Sequence, residues 1–276
     1  MTDGLYPIPK SVQRSRKAKE KERGNRTNEN FHKEKYGQGQ EIQKMKQYSR
    51  IFQEDSITLY HRTVRYYDFP IQSYLLKKRI RPKSIEEFVN VIQSSFDESE
   101  LLKIASSLRS VSDSHLRSGG GSMGHGVYTL FNVGDCFSKS MLPFGMFVVK
   151  LSASKDGHLS FFSEDIVQRL TEMGIDQKVM NGVAQYENED QRYRSAYIAG
   201  HVVHTPDFTS LVKRGDIRSI SYNDISHGNV FLAYDSSVLQ RPSSVCISIK
   251  DASGSAISSK WTPIKNLVRL FETEEV

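Results

Sequence analysis

Gly119-Gly-Gly-Ser-Met-Gly-His-Gly-Val-Tyr-Thr129 is the stretch whose reading decides the fold. Its glycines pass without a break into Val127, Tyr128, Thr129, Leu130 and Phe131, which are β-branched, aromatic or otherwise apolar. Glycine lets a main chain approach a ligand closely, and a stiff strand behind it holds the next side chains in fixed positions. A strand, not a helix, comes next. That excludes a Gly-x-Gly-x-x-Gly dinucleotide loop, which lies between a strand and a helix.

Working outward, Ile57–His61 is a short strand pattern. Ile71–Leu76 reads as a helix broken by Arg81-Pro82. Ser84-Ile-Glu-Glu87 has capping-box spacing and opens a helical face of Phe88, Val89 and Ile92. A second helix starts at Asp97–Glu100, with Leu101, Leu102, Ile104, Ala105 and Leu108 behind it. After the glycine run, Asp135–Met141 reads as a short helix and Gly145–Ser152 as a buried strand. Ser163 caps a helix ending at Gly174. Residues 175–195 are polar without a clear period and read as a loop. Tyr197–His204 reads as a strand, with His201 and His204 on opposite faces. Asp216–Tyr222, Val230–Tyr234, Val245–Lys250 and Ile264–Phe271 read as further strands. Helices early and strands late predict an α+β fold with mainly antiparallel sheets.

The charge is unevenly placed. Residues 10–50 carry thirteen Lys and Arg against five Glu, a net of +8, while the whole chain is +6. The basic character therefore belongs to an N-terminal arm, read as 1–45 and disordered. The residues outside 10–50 sum to −2, so the domain, read as 46–276, is not itself a nucleic-acid surface. The arm offers a nucleic-acid contact, an anchor on acidic lipid or a solvated tail. Two cysteines make neither a disulfide framework nor a zinc site. No apolar run reaches the roughly 18 residues of a membrane span, and the N-terminus lacks a secretory signal pattern. These features predict a monomer in cytoplasm or nucleus, or one delivered into a host cell. There is no Gly-x-Ser-x-Gly elbow, Walker loop or His-Glu-x-x-His, and no metal site is expected.

What remains is an ordered series. A histidine closes the first strand (His61-Arg62-Thr63). Then come two helices, the glycine run, Gly126-Val127-Tyr128-Thr129, Phe137-Ser138-Lys139-Ser140, the strand from Gly145, and Val230-Phe231-Leu232-Ala233-Tyr234-Asp235. In that order, over roughly residues 55 to 250, the chain resembles the catalytic domain of the poly(ADP-ribose) polymerase branch of the ADP-ribosyltransferases. The resemblance implies a split pair of mainly antiparallel sheets with flanking helices. It also implies NAD as the donor substrate, consumed in mono-ADP-ribosylation of a macromolecule, with protein the expected target.

By the same resemblance His61 holds the adenosine ribose and Tyr128 stacks on nicotinamide. Ser140 bonds the carboxamide, and the loop Gly119–Gly124 lies over the dinucleotide. Arg62, Thr63, Gly124, Gly126, Phe137 and Val230 complete the expected NAD contacts. Three departures are specific. Arg62 stands where the family has glycine, the family's second stacking tyrosine falls near Pro143 with Phe144 or Phe137 as its substitute, and the family's catalytic glutamate falls on Val230, so chain extension is not expected. Glu187 and Glu189, in Gln185-Tyr-Glu187-Asn-Glu189, match the Gln-x-Glu and Glu-x-Glu spacings of toxin-type members and are the candidate catalytic acids. Asp224 is another. The alternative is a catalytically silent module of the same fold that binds ADP-ribose, RNA or a protein partner.

Overall fold

The computed structural model describes residues 56–63, 68–113, 116, 119–137, 145–250 and 256–269, all within the compact unit Asp55–Val276. The basic arm, Ser138–Ser140 and residues 141–144 lie outside them. In chain order the elements are β1 (Ser56–Thr63), α1 (Asp68–Lys77), α2 (Ile85–Ser95), α3 (Glu98–Asp113), β2 (Gly119–Gly121), β3 (Gly124–Leu130) and α4 (Val133–Cys136). Next come β4 (Phe147–Ser154), β5 (His158–Ser160), α5 (Ile166–Glu172), α6 (Gln177–Ala184), α7 (Gln191–Val202) and α8 (Pro206–Arg214). The chain continues through β6 (Ser219–Asp224), β7 (Gly228–Ala233), β8 (Ser244–Lys250), β9 (Ala256–Ser258), β10 (Thr262–Pro263) and α9 (Ile264–Arg269). The fold is mixed α and β, with a mostly antiparallel sheet and flanking helices. No helix among the described residues is long and apolar enough to cross a membrane.

The strand order is β10-β8-β4-β1-β3-β7-β6-β5, with β2 added to β3 and β9 to β8. The β5–β6 pair is parallel. Parallel neighbours need a crossover, and here the crossover is the four helices α5–α8. They cover one face of the sheet, where Leu159, Phe161, Ile166, Leu170, Val183, Ile198, Val202, Phe208 and Leu211 pack on Leu130, Ile220, Tyr222, Val230 and Leu232. Elsewhere α9 packs on α3 and β8. Of the three helix starts read from the sequence, two are capped as expected, whereas α5 begins after Asp165 with no side-chain cap and Ser163 donates to the Asp165 carboxylate instead. Ser84 accepts from the Glu87 amide at 3.1 Å. Asp97 and Glu100 bond each other's amides at 2.9 and 3.1 Å.

The structure corrects three readings, for one physical reason. Residues 175–195 are not a loop, Tyr197–His204 is not a strand, and Ile264–Phe271 does not open as one. They hold α6, α7 and α9. In α7 the β-forming residues disguise a helical burial pattern: Ser195, Ala196, Ile198, Ala199 and Val202 are buried. That spacing of three and four is one helix face. Ile264 and Val268 repeat it in α9. Packing of that face overrides local β propensity.

Candidate functional site

The sheet has a seam. Eight rungs join β1 to β4 and four join β3 to β7. Among the described residues a single rung, Tyr60 with Leu130, joins β1 to β3. His61 lies next to that rung, and its Nδ1 bonds the Tyr128 carbonyl at 2.6 Å. A carbonyl offers only lone pairs, so Nδ1 carries the proton. An imidazole therefore spans the line where the ladder stops.

Alternation along β1 puts Tyr60 and Arg62 on one face and His61 on the other. Tyr60 shares its face with Leu130, and so with Tyr128 two residues earlier. His61 and Tyr128 thus meet through a side chain and a carbonyl at the seam, not across a shared pocket wall. Arg62 is 5% exposed and turned away from His61. Its Nε, Nη1 and Nη2 donate to the carbonyls of Gly145 (2.5 Å), Cys136 (2.9 Å) and Ser248 (2.8 Å). The side chain ties the end of α4, the start of β4 and the middle of β8 together. It has the geometry of a structural clamp rather than of a dinucleotide contact. Burial pushes the Cys136 and Cys246 thiols up to about 12, and the nearby guanidinium offsets part of this.

The glycine run folds as a hairpin, β2 against β3, with Ser122 and Met123 at its tip. It lies on Tyr128. A Cβ added to Gly121 would stand 2.4 Å from the Tyr128 ring, so only glycine allows this contact. The Tyr128 hydroxyl donates to the Gly124 carbonyl at 2.6 Å and accepts from the Met123 amide at 3.3 Å. Tyr234 donates to the Met123 carbonyl at 3.0 Å. His204 Nε2 bonds the Ser122 carbonyl at 2.8 Å. The hydroxyl end of the ring expected to stack on nicotinamide is therefore covered by the chain's own glycine, and the residue as a whole is half-buried. Below lie two more phenols. Burial raises the pKa of Tyr128, Tyr222 and Tyr234 alike. The Tyr222 hydroxyl is buried and directed toward Ser122 without completing a hydrogen bond.

The other expected residues divide. Val230 is 4% exposed, in register with Leu130 and Tyr222, and part of the apolar core. Phe137 is half-buried at the end of α4, its amide bonded to the last turn. Gly126 lies so close to the Ala233 carbonyl and Leu232 that no side chain fits there. Gly124 holds the hairpin turn at φ +103°. Thr63 ends β1 opposite Phe147. Ser140 lies outside the described residues. Glu187 and Glu189 are exposed in the turn joining α6 to α7, a helix-to-helix connection and not the strand-borne loop that would set two carboxylates on one side.

Asp224 is better placed. It ends β6 on the face of Tyr128 and Tyr222, and its charge helps to raise both phenols, behind burial as the larger cause. One of its oxygens caps the turn, accepting from the Ser226 and His227 amides at 2.8 and 3.0 Å. Asp135 comes to the same end of the sheet, where its carboxylate fills the space a side chain on Gly228 would take. Neither Asp135 nor the His204 contact is legible in the sequence. The first sits in a four-residue helix, and the second follows a helix that reads as a strand. Among the described residues no group of three or more His, Cys, Asp or Glu is placed to hold a metal.

No family model, no curated protein and no solved structure matches the chain.

Proposed function

We propose that this chain is an NAD-dependent mono-ADP-ribosyltransferase of a macromolecular target, most naturally a protein. The observation that carries the reading is the seam: two mostly antiparallel half-sheets meet at one rung, with His61 beside it and a tyrosine strand under a glycine hairpin. The order of elements through the short helix α4 and the buried strand β4 supports it further. In the proposed reaction the bond from the ribose C1′ to nicotinamide breaks, a bond from C1′ to a nucleophilic atom of the target forms, and nicotinamide and the displaced proton leave. Positive charge develops on the ribose, and a preorganised carboxylate stabilises it. Asp224 is the carboxylate assigned to that role, because it ends β6 on the face that carries Tyr128 and Tyr222. In this reading the hairpin lifts from Tyr128 before nicotinamide stacks there.

One observation favours a second reading. Val230, where the family has its acid, is sealed in the core, and the hydroxyl end of Tyr128 is covered. These fit a silent module that binds ADP-ribose, RNA or a protein partner. Release of nicotinamide from NAD by the purified chain separates the two. Turnover that survives in neither His61→Ala nor Asp224→Asn supports the transferase. Asparagine keeps the oxygen that caps the turn, so the second variant removes charge and leaves the fold. No turnover in the native chain, with no thermal shift on adding NAD, refutes the enzyme.

A further inference from the structure

The single tryptophan of the chain stands beside the seam and has no part in the site above. Trp261 directly precedes β10 and is 38% exposed. Its ring rests on Tyr60, with centroids 5.8 Å apart and planes tilted by 44°. Register fixes the company these rings keep. Pro263 faces Ser244, Ser244 faces Lys150 and Lys150 faces Tyr60 across β10, β8, β4 and β1. Partners across a ladder share a face, and neighbouring strands lie about 5 Å apart. Lys150 therefore projects from the same face as Tyr60, one strand away. It is exposed, and no ion pair holds it among the described residues. Lys260 is also exposed, but its charge is partly offset by Glu86 of α2, whose carboxyl is held low by its own backbone and Ser84 hydrogen bonds and, behind them, by Lys260.

An exposed aromatic surface next to an uncompensated ammonium selects a flat, anionic ligand and repels a cationic one. The two rings already touch. A third ring between them would need roughly 7 Å, two stacking distances, so a planar ligand lies on the outer side of the indole with Tyr60 behind it. We propose that Trp261, Tyr60 and Lys150 form a binding site for an adenosine phosphate, with the purine stacked on the indole and a phosphate on the Lys150 ammonium. Stacking on an aromatic ring strengthens binding and tolerates any base, and the ammonium adds the contact to phosphate. The choice of adenosine rests on the reading of NAD as donor, whereas the stacking and the charge do not.

Because Trp261 is the sole tryptophan, its fluorescence reports the site directly. The full chain is titrated with AMP, NAD, ADP-ribose, adenosine, inorganic phosphate and single-stranded oligodeoxyadenylate. Saturable quenching by AMP and NAD is expected, with adenosine several-fold weaker and phosphate silent. Lys150→Gln should raise the Kd for AMP about five- to tenfold at an unchanged plateau. Trp261→Ala should abolish AMP binding in equilibrium dialysis, while Trp261→Phe, which keeps a ring, retains part of it. His61→Ala should leave the quench intact, so quenching without transfer refutes the reaction and keeps the site. Transfer without quenching does the reverse. Quenching by the oligonucleotide alone, or an AMP affinity untouched by both Lys150→Gln and Trp261→Ala, overturns the proposal.

Discussion

Gly121→Ala tests whether the hairpin covers Tyr128. Gly121 is not among the residues with positive φ, so its backbone accepts a side chain. The obstacle is contact alone: the new methyl would stand 2.4 Å from Tyr128 Cζ, 2.5 Å from its hydroxyl and 2.9 Å from Cε2. Relief takes a displacement of about 1 Å to regain van der Waals distance. The ring is held on its far side by the helix-covered core, so the exposed hairpin gives way.

Four hydrogen bonds hold the hairpin down: Tyr128 to Gly124, Met123 to Tyr128, Tyr234 to Met123, and His204 to Ser122. At about 0.5–1 kcal/mol each, less the cost of ordering an exposed loop, the closed form is favoured by about 2 kcal/mol. That is a factor of about 30. A ligand that needs the open form binds weaker by the same factor. Gly121→Ala should therefore release the amides of residues 119–126 to fast deuterium exchange and lower global stability by no more than about 2 kcal/mol, the advantage of the closed form. NAD, if it uses Tyr128, should bind up to about 30-fold tighter. A variant hairpin that stays as protected as the native one refutes the covering contact. An opened hairpin with unchanged NAD affinity refutes Tyr128 as part of the NAD site.

Other outcomes turn on single residues. Arg62→Met should destabilise the fold by about 3–5 kcal/mol in denaturant titration, because it strands three buried carbonyls that a guanidinium now satisfies; a loss under about 1 kcal/mol would show the clamp to be dispensable. His158 stacks on Phe231 at 5.0 Å and bonds Ser219 and Ser221. Burial, with Arg169 and Lys155 adding to it, lowers its pKa to about 3. The folded state thus keeps the ring neutral while the unfolded chain takes up a proton below about pH 6.5, so stability is full above that value and falls toward pH 3. Between pH 6.5 and 5 the His158 contribution drops by about 2 kcal/mol. A flat stability profile over that window would count against the buried neutral ring. Tyr234→Phe, which removes one of the hairpin's four bonds, should speed exchange at Met123 and its neighbours by about fivefold.

Elements whose periodicity matches their burial were legible from the sequence. β1, β4, β6 and β7 alternate or run apolar, and the capping boxes before α2 and α3 announce themselves. The helical crossover was not legible, because α7 is rich in β-forming residues and its helical signal lies in which residues are buried. The order of the candidate site could be read, but its arrangement could not. Parity along β1 and β3, which places His61 and Tyr128 on opposite faces, comes from the Tyr60–Leu130 rung, and register between distant strands leaves no local mark. The hairpin's descent onto Tyr128 hangs on the missing side chain of Gly121. In sequence that residue is one glycine in a run of three.

The single rung at the seam would suggest that the molecule could be cut into two pieces there, but the path of the chain forbids it. β1, β4, β8, β9 and β10 form one half-sheet, and β2, β3, β5, β6 and β7 form the other. The backbone passes between them after β1, again after β3, again after β4 and again after β7. Neither half is a continuous segment, so no truncation yields one alone. The halves are laced together, with the covalent chain supplying the cohesion that the ladder omits. Unfolding of residues 55–276 should accordingly run as one cooperative transition, even though the sheet at its centre is almost divided.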